Sequence, residues 1–352
     1  MTHVVLHTEG DALYAAMLED IGAAQHTLRL ETYIFACDEI GSRFVDALIE
    51  RAKAGVCVYF RVDAAGSFGL IPRSVARRLR DAGVRFRRWR RWSWRQPFTI
   101  HRRNHRKLLV VDRRCVYLGG FNIHRESSHE HYGEDRWMDL HVRLTGPVVG
   151  DAALLFDHDG RMPTRWRSRA RRGCFLIPSR TRRSRALLHR VFHRAFARAR
   201  HRVWLTTPYF VPDSRTQREL CRAASRGVDV RLLVPGKSDI RITQWAGRAA
   251  YSRLLSAGVR IFEYRPRVLH AKTALIDSDW STVGTANLDY RSFFINDEVN
   301  AVFEDAAVNT VLAARFLADL DQSREVRLRP WRRRRWFNWF PETIGYMARR
   351  WL

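Results

Sequence analysis

His105-Arg-Lys107-Leu-Leu-Val-Val-Asp112-Arg-Arg-Cys-Val-Tyr-Leu-Gly119-Gly120-Phe121-Asn122 is answered later in the chain by His270-Ala-Lys272-Thr-Ala-Leu-Ile-Asp277-Ser-Asp-Trp-Ser-Thr-Val-Gly284-Thr285-Ala286-Asn287. In both stretches an apolar run reads as a buried strand, and the His and Lys before it, two positions apart, project from one face. Two copies of one polar pattern at identical spacing suggest two half-sites meeting in one reaction centre.

The repeat extends outward from the motif. Gln25 to Phe35 matches Arg200 to Phe210, a helix end feeding an alternating strand in both places. Ala47 to Phe60 matches Leu220 to Leu233 as amphipathic helix, glycine stop and strand, and Asp81 to Phe86 matches Ser256 to Ile261. The chain is therefore read as a tandem duplication of a strand-helix unit. The expected class is α/β, two pseudo-symmetric α/β/α repeats with mixed sheets flanked by helices and one shared active site at their interface. The boundaries follow: residues 1–157 form the first repeat, 158–199 a basic linker and the start of the second, 200–322 the second repeat, and 323–352 a basic aromatic tail expected to associate with membrane.

Composition limits the partner. The chain has 352 residues, 63 of them Lys or Arg, and a formal charge of +27. Only Lys53, Lys107, Lys237 and Lys272 are lysines, so the two inside the repeated motifs stand where a compact ammonium is wanted and arginine's planar fork is not. Such a charge calls for an anionic partner, nucleic acid or an anionic membrane surface. The five cysteines are scattered singly, which argues against a disulfide framework or structural zinc. Neither a signal sequence nor about 18 uninterrupted apolar residues is evident, so a membrane enzyme of this sequence is expected to work from the surface.

Arginine interleaves with aromatics at Arg85 to Arg95 and Trp331 to Phe340, and a last helix after Pro341 would gather Ile344, Met347, Ala348 and Trp351 on one face. Both patterns suit an interface where tryptophan meets headgroups and arginine meets phosphate, and both equally suit stacking on single-stranded nucleic acid. Arg165 to Arg172 reads as a solvated linker or as a further contact with lipid phosphates or nucleic acid.

Brought together, the halves offer two histidines, two lysines and two asparagines around one pocket, a set suited to a phosphodiester without a metal or other cofactor. One histidine attacks phosphorus while the other protonates the departing alkoxide and later deprotonates the incoming hydroxyl. Lys107, Lys272, Asn122, Asn287 and Thr285, with the amides after Gly119 and Gly284, are expected to hold the non-bridging oxygens. Asp112 and Asp277 end their strands and are expected to lock local geometry.

These residues resemble the paired HKD motifs of the phospholipase D superfamily, from about Asp11 to Asp321. The resemblance implies a catalytic set of His105, Lys107, Asp112, His270, Lys272 and Asp277, with His105 as nucleophile and His270 as general acid and base. It also implies a carboxylate downstream of each Asn that orients a histidine: Glu298 in the second half, and Asp139, or else Glu134 or Asp135, in the first. The surroundings, Leu30 to Phe35, Gly119 to Asn122, Trp137 to His141, Thr207 to Pro212, Pro235 to Asp239 and Asn287 to Ser292, are most similar to bacterial cardiolipin synthases of the short form lacking transmembrane spans. That implies transfer of a phosphatidyl group from one phosphatidylglycerol to the hydroxyl of another phospholipid, on an anionic membrane of phosphatidylglycerol and cardiolipin. The place implied is peripheral, on the cytoplasmic face of the bacterial inner membrane. Hydrolysis to phosphatidic acid and nuclease action are the competing readings of the same chemistry.

Overall fold

The structure is a computed structural model that describes residues 2–90, 94, 101–161, 173–333 and 345. Seven strands, β1 (Val4–His7), β2 (Thr27–Thr32), β3 (Cys57–Asp63), β4 (Arg85–Trp89), β5 (Leu108–Val111), β6 (Cys115–Gly119) and β7 (His141–Thr145), form the first sheet. Their order is β1-β7-β6-β5-β2-β3-β4, with β2, β3 and β4 parallel and the other pairings antiparallel.

The second half continues with β8 (Cys174–Pro178), β9 (Arg202–Thr206), β10 (Phe210–Val211), β11 (Asp229–Pro235), β12 (Arg260–Tyr264), β13 (Thr273–Ile276), β14 (Trp280–Gly284), β15 (Leu288–Asp289), β16 (Val299–Glu304) and β17 (Ser323–Val326). Its sheet runs β17-β12-β11-β9-β13-β14-β16-β8, while β10 and β15 make a separate parallel pair. Removing β17 leaves the first sheet's order and directions reproduced strand for strand. The class is thus α/β, two mixed sheets flanked by helices.

The apolar runs behind each motif dictate where the sheets meet. Leu108, Val110, Val116, Leu118 and Val142 of one sheet share a single core with Leu275, Val283, Val299, Ala301 and Phe303 of the other. The opposite faces bury separate clusters under the outer helices. Because both faces of β5, β6, β13 and β14 are covered, these strands read as continuous hydrophobic runs with little alternation.

Three segments refine or correct the sequence reading. Cys174–Pro178 pairs with β16, so within the stretch read as basic linker and start of the second repeat the second sheet begins by Cys174. The tail begins as sheet, since β17 pairs with β12, and Trp331 is buried beside Tyr251 and donates to Ser252 Oγ at 3.0 Å. Trp89, expected at an interface with lipid, is buried on edge strand β4 beneath the guanidinium groups of Arg61, Arg87 and Arg180. In each case an apolar or aromatic side chain found a protein surface, which an arginine-rich composition masks in the sequence. Residues 91–93, 95–100, 162–172, 334–344 and 346–352, which hold most of the remaining basic and aromatic segments, lie outside the described residues.

One ion pair ties the opening of the first motif to the sheet. Arg106 donates through Nε and Nη2 to Glu31 Oε1 at 2.9 and 2.7 Å, both side chains are fully buried, and Asn104 donates to the same carboxylate. Removing one partner of such a pair leaves an uncompensated buried charge. Glu31→Ala is therefore expected to lower unfolding stability by about 3–5 kcal/mol, read from the denaturant midpoint at unchanged slope.

Candidate functional site

The site is assembled by two short cross-connections between the halves. Asn104 bridges Asp297, with His105 N donating to Asp297 O at 2.9 Å and Asp297 N to Arg103 O at 2.9 Å. Met138 bridges Leu269, with Met138 N donating to Val268 O at 2.8 Å and His270 N to Met138 O at 2.7 Å. In each bridge the next residue along both strands is functional, so His105 is set beside Glu298 and His270 beside Asp139.

The side chains complete that register. His105 Nδ1 lies 3.0 Å from Glu298 Oε2 and 3.2 Å from the Thr285 carbonyl. Both neighbours only accept, so Nδ1 carries the proton and Nε2 presents a lone pair. His270 Nδ1 lies 2.5 Å from Asp139 Oδ2. Each motif histidine is thus oriented by the carboxylate of the opposite repeat. Glu134, the alternative to Asp139, is an exposed partner of His129 and Arg136, and Asp135 is exposed as well.

The two pairs differ electrostatically. Burial raises the Glu298 carboxyl, but His105 and Thr285 outweigh it and hold the group below the usual carboxylate range. Thr285 Oγ1 donates to Glu298 at 2.6 Å and Ser292 Oγ at 3.0 Å. Asp139, fully buried, is pushed up to about 6 despite Lys272. Burial lowers the pKa of His105, and burial with Lys272 and Lys107 lowers that of His270 well below the usual imidazole range, opposed there by the charge of Asp239.

Both histidines open onto a cavity of about 470 Å³. Asn122 and Asn287 line it too, and Asn122 Nδ2, Asn287 Oδ1 and Asn296 Oδ1 are buried there with no partner among the described residues. Unsatisfied buried amide atoms around a cavity are the mark of a site built for a polar ligand. The remaining walls come from Tyr33, Ile34, Trp137, Tyr209 and Ile240, with Arg103, Arg291, Asp239 and Asp289 as charged members.

Asp112 and Asp277 lock local geometry, and several contacts expected with a phosphate fall elsewhere. Asp112 accepts the amides of Gln25, His26 and Thr27, and Asp277 those of Arg200, His201 and Arg202, each from a left-handed backbone with φ of 47° and 49°. These aspartates clip the motif strand to its neighbour at the end away from the histidines. Thr285 serves Glu298 and does not line the cavity, and the amides after Gly119 and Gly284 are spent on Leu140 O and Val299 O. The lysines sit behind the histidines: Lys107 Nζ donates to His105 O at 2.9 Å, and Lys272 Nζ to His270 O while lying 2.9 Å from His270 Nδ1. They set the potential of the site from beneath its walls.

The wall residues Ile34 and Tyr209 occupy matching places in the internal repeat, and each follows a threonine whose Oγ1 bonds the second carbonyl on at 3.1 Å, Thr32 to Ile34 and Thr207 to Tyr209. The self-alignment of Gln25 to Phe35 with Arg200 to Phe210 already paired them, but without a polar group common to both it did not mark them as site residues. Trp137, Asp239 and Asp289 have no such echo.

A fold of two such repeats closing over one cavity, with a histidine from each half, defines the phospholipase D superfamily. The family described as "Cardiolipin synthase, PLD-like domain" matches residues 17–139 and 192–320, and the chain belongs to it. It is 35% identical to "Cardiolipin synthase 2" of Bacillus anthracis over 93% of its own length and 66% of that protein's. It is 36% identical to "Cardiolipin synthase A" of Pseudomonas aeruginosa PAO1 over 92% of its length and 68% of the relative's. It thus spans about two-thirds of these relatives. Among solved structures, phosphatidylserine synthase of Haemophilus influenzae superposes with a TM-score of 0.72 at 15% identity, covering 98% of this chain and 92% of the other, which shows a common fold.

Two outcomes test this geometry. A Cβ on Gly120 would collide with the Asp139 carboxylate, so Gly120→Ala should displace the group that orients His270. Turnover is expected to fall about 100-fold with KM nearly unchanged, the cost of misplacing a catalytic group by about an ångström. Burial brings Lys107 down to about 7 and Lys272 to about 8, so near those values the free protein has partly lost its ammonium charges. An oxyanion favours the protonated forms. Sulfate, whose own charge is constant in this range, should bind with proton uptake and weaken as pH rises from 7 to 8, measured by calorimetry in buffers of different ionisation enthalpy.

Proposed function

We propose that the chain is a phosphatidyltransferase that makes cardiolipin from phosphatidylglycerol at the surface of an anionic membrane. The observation that carries this reading is the pair of histidines on one cavity, each with Nδ1 held by a carboxylate of the other repeat and Nε2 left for chemistry.

His105 Nε2 attacks phosphorus of a phosphatidylglycerol, and the bond from phosphorus to the terminal glycerol oxygen breaks. His270, protonated at Nε2, gives its proton to that oxygen and glycerol departs. The hydroxyl of a second phospholipid then yields its proton to His270 and attacks the phosphohistidine, which restores both histidines. Glu298, held ionised, supports the imidazolium character that His105 acquires on phosphorylation. Asp139, at about 6, lets the His270 pair exchange a proton near neutral pH, as an acid-base group must. This assignment agrees with the polarity that the family resemblance implies.

The surroundings of the cavity suit a lipid. The loop carrying wall residues Ala65 and Gly66 continues into Phe68 and Leu70, which are 85% and 40% exposed, and wall residue Ile240 is 42% exposed. Arg73, Arg77, Arg78 and Arg80 project outward from the helix Arg73–Asp81 that follows. Apolar side chains at a cavity mouth beside an arginine face match a bilayer of anionic headgroups and support a peripheral position, for which the cytoplasmic face is our proposal. Among the described residues no helix is long and apolar enough to cross a membrane.

The test is lipid separation after incubation with labelled phosphatidylglycerol vesicles, with and without phosphatidylethanolamine. Cardiolipin and free glycerol are expected, lost in His105→Ala and in His270→Ala, and reduced on vesicles in Phe68→Ser. Phosphatidic acid alone would replace transfer by hydrolysis, and no lipid turnover would overturn the reading.

A further inference from the structure

Away from the motif histidines, three side chains converge on a point where one ring nitrogen cannot make a linear hydrogen bond to both of its neighbours. His189 and His193 stand four residues apart on the helix Arg182–Arg198 and therefore share a face. Their rings meet edge to face with centroids 4.1 Å apart and Nε2 atoms 2.8 Å apart, and Asp213 Oδ2 lies 3.2 Å from the same His189 Nε2. A neutral imidazole nitrogen offers either one N–H or one lone pair. If His189 Nε2 donates to Asp213, it has no lone pair for a proton from His193. If it accepts from His193, it turns that lone pair toward the Asp213 oxygen.

We propose that His189, His193 and Asp213 form a binding site for a divalent transition-metal ion of the zinc class. One cation accepting all three lone pairs removes the conflict. The donor atoms lie within 4.8 Å of one another. Donors at about 2.0–2.2 Å from a tetrahedral zinc ion are separated by about 3.3 Å, so the contacts at 2.8 and 3.2 Å need to open only by tenths of an ångström. Two imidazoles and one carboxylate select such an ion over magnesium or calcium, which take oxygen ligands. Arg215 and Arg218, whose charges reach His193, oppose any bound cation. Binding therefore has to come from bonds to nitrogen, which strengthens the same selection.

The carboxylate is already placed. Asp213 Oδ1 accepts from the amides of Arg215 and Thr216 as cap of the helix Ser214–Ser225, and Oδ2 accepts from Thr216 Oγ1 at 2.8 Å. Bonds of this kind fix a ligand's direction before the ion arrives. The His189 and Asp213 side chains keep 13% and 16% exposure, an entry path and room for water as the remaining ligand.

The site's position indicates its effect. Asp213 follows β10, which pairs with β15 immediately after Asn287, and the His189 ring packs 5.3 and 5.2 Å from the Phe293 and Phe294 rings just beyond. An ion there would staple the outer helix to the segment that carries Tyr209 to the cavity wall, and would fix the His189 ring against the phenylalanines that follow Asn287 and Asp289. The role is to brace this wall, with no part in the transfer chemistry.

The experiment uses the untagged full chain, stripped with chelator and titrated with Co²⁺ as a spectroscopic probe, then with Zn²⁺ in competition. One Co²⁺ per chain with a visible ligand-field band, displaced by Zn²⁺ and not by Mg²⁺, is expected. His189→Gln and His193→Gln, which keep polar groups of similar size, should each weaken that binding at least about 10-fold. Zn²⁺ should raise the melting temperature of the parent and not of these variants. The chain holds 14 histidines, so the difference between parent and variant is the reading that counts. Absence of binding, or equal stoichiometry and spectrum in parent and variants, would overturn the proposal. Neither readout depends on lipid turnover.

Discussion

The register of two single-residue bridges governs everything catalytic in this molecule. Asn104 against Asp297 and Met138 against Leu269 are the places where the strand leading into a histidine of one repeat runs beside the strand leading into a carboxylate of the other. A slip by one residue would turn the paired side chains to opposite faces. The surrounding burial exists to prevent that slip: Glu31 and Arg106 pin the approach to His105, Asp112 and Asp277 clip the motif strands at their far ends, and one apolar core fills the space between the sheets.

Pseudo-symmetry places the groups, and local asymmetry divides their roles. Glu298 accepts from two hydroxyls and a histidine in a polar nest, whereas Asp139 is wedged against a glycine and beside Lys272. One carboxylate is held low and the other high, by surroundings that the repeated motif leaves unspecified. The same geometry thus gives the two imidazoles unequal partners, the asymmetry on which the proposed division into nucleophile and proton carrier rests.

The duplication, the α/β class, the shared site and the histidine and asparagine positions were legible in the chain because they recur at fixed spacing, whereas the carboxylates, 17 and 11 residues beyond their asparagines, were expected from the family resemblance alone. What was illegible has a physical reason in each instance. Thr285 and the amides beyond the glycines look like phosphate ligands in isolation, but strand pairing claims the amides and Glu298 claims the hydroxyl. Trp89 and Trp331 look interfacial because their neighbours are arginines, yet guanidinium stacks on tryptophan as readily inside a protein as at a bilayer. The crossing of histidines and carboxylates between halves leaves no local trace, since it depends on how two surfaces meet.

The common core between the sheets also sets how this chain can come apart. Its buried residues belong to both repeats in comparable measure, so parting the halves would bare an apolar sheet face on each. Each carboxylate travels with the half opposite its histidine. A parting of the halves therefore breaks both pairs in one event. A duplication that began as two copies has become, in effect, a dimer whose subunits cannot be diluted away from each other.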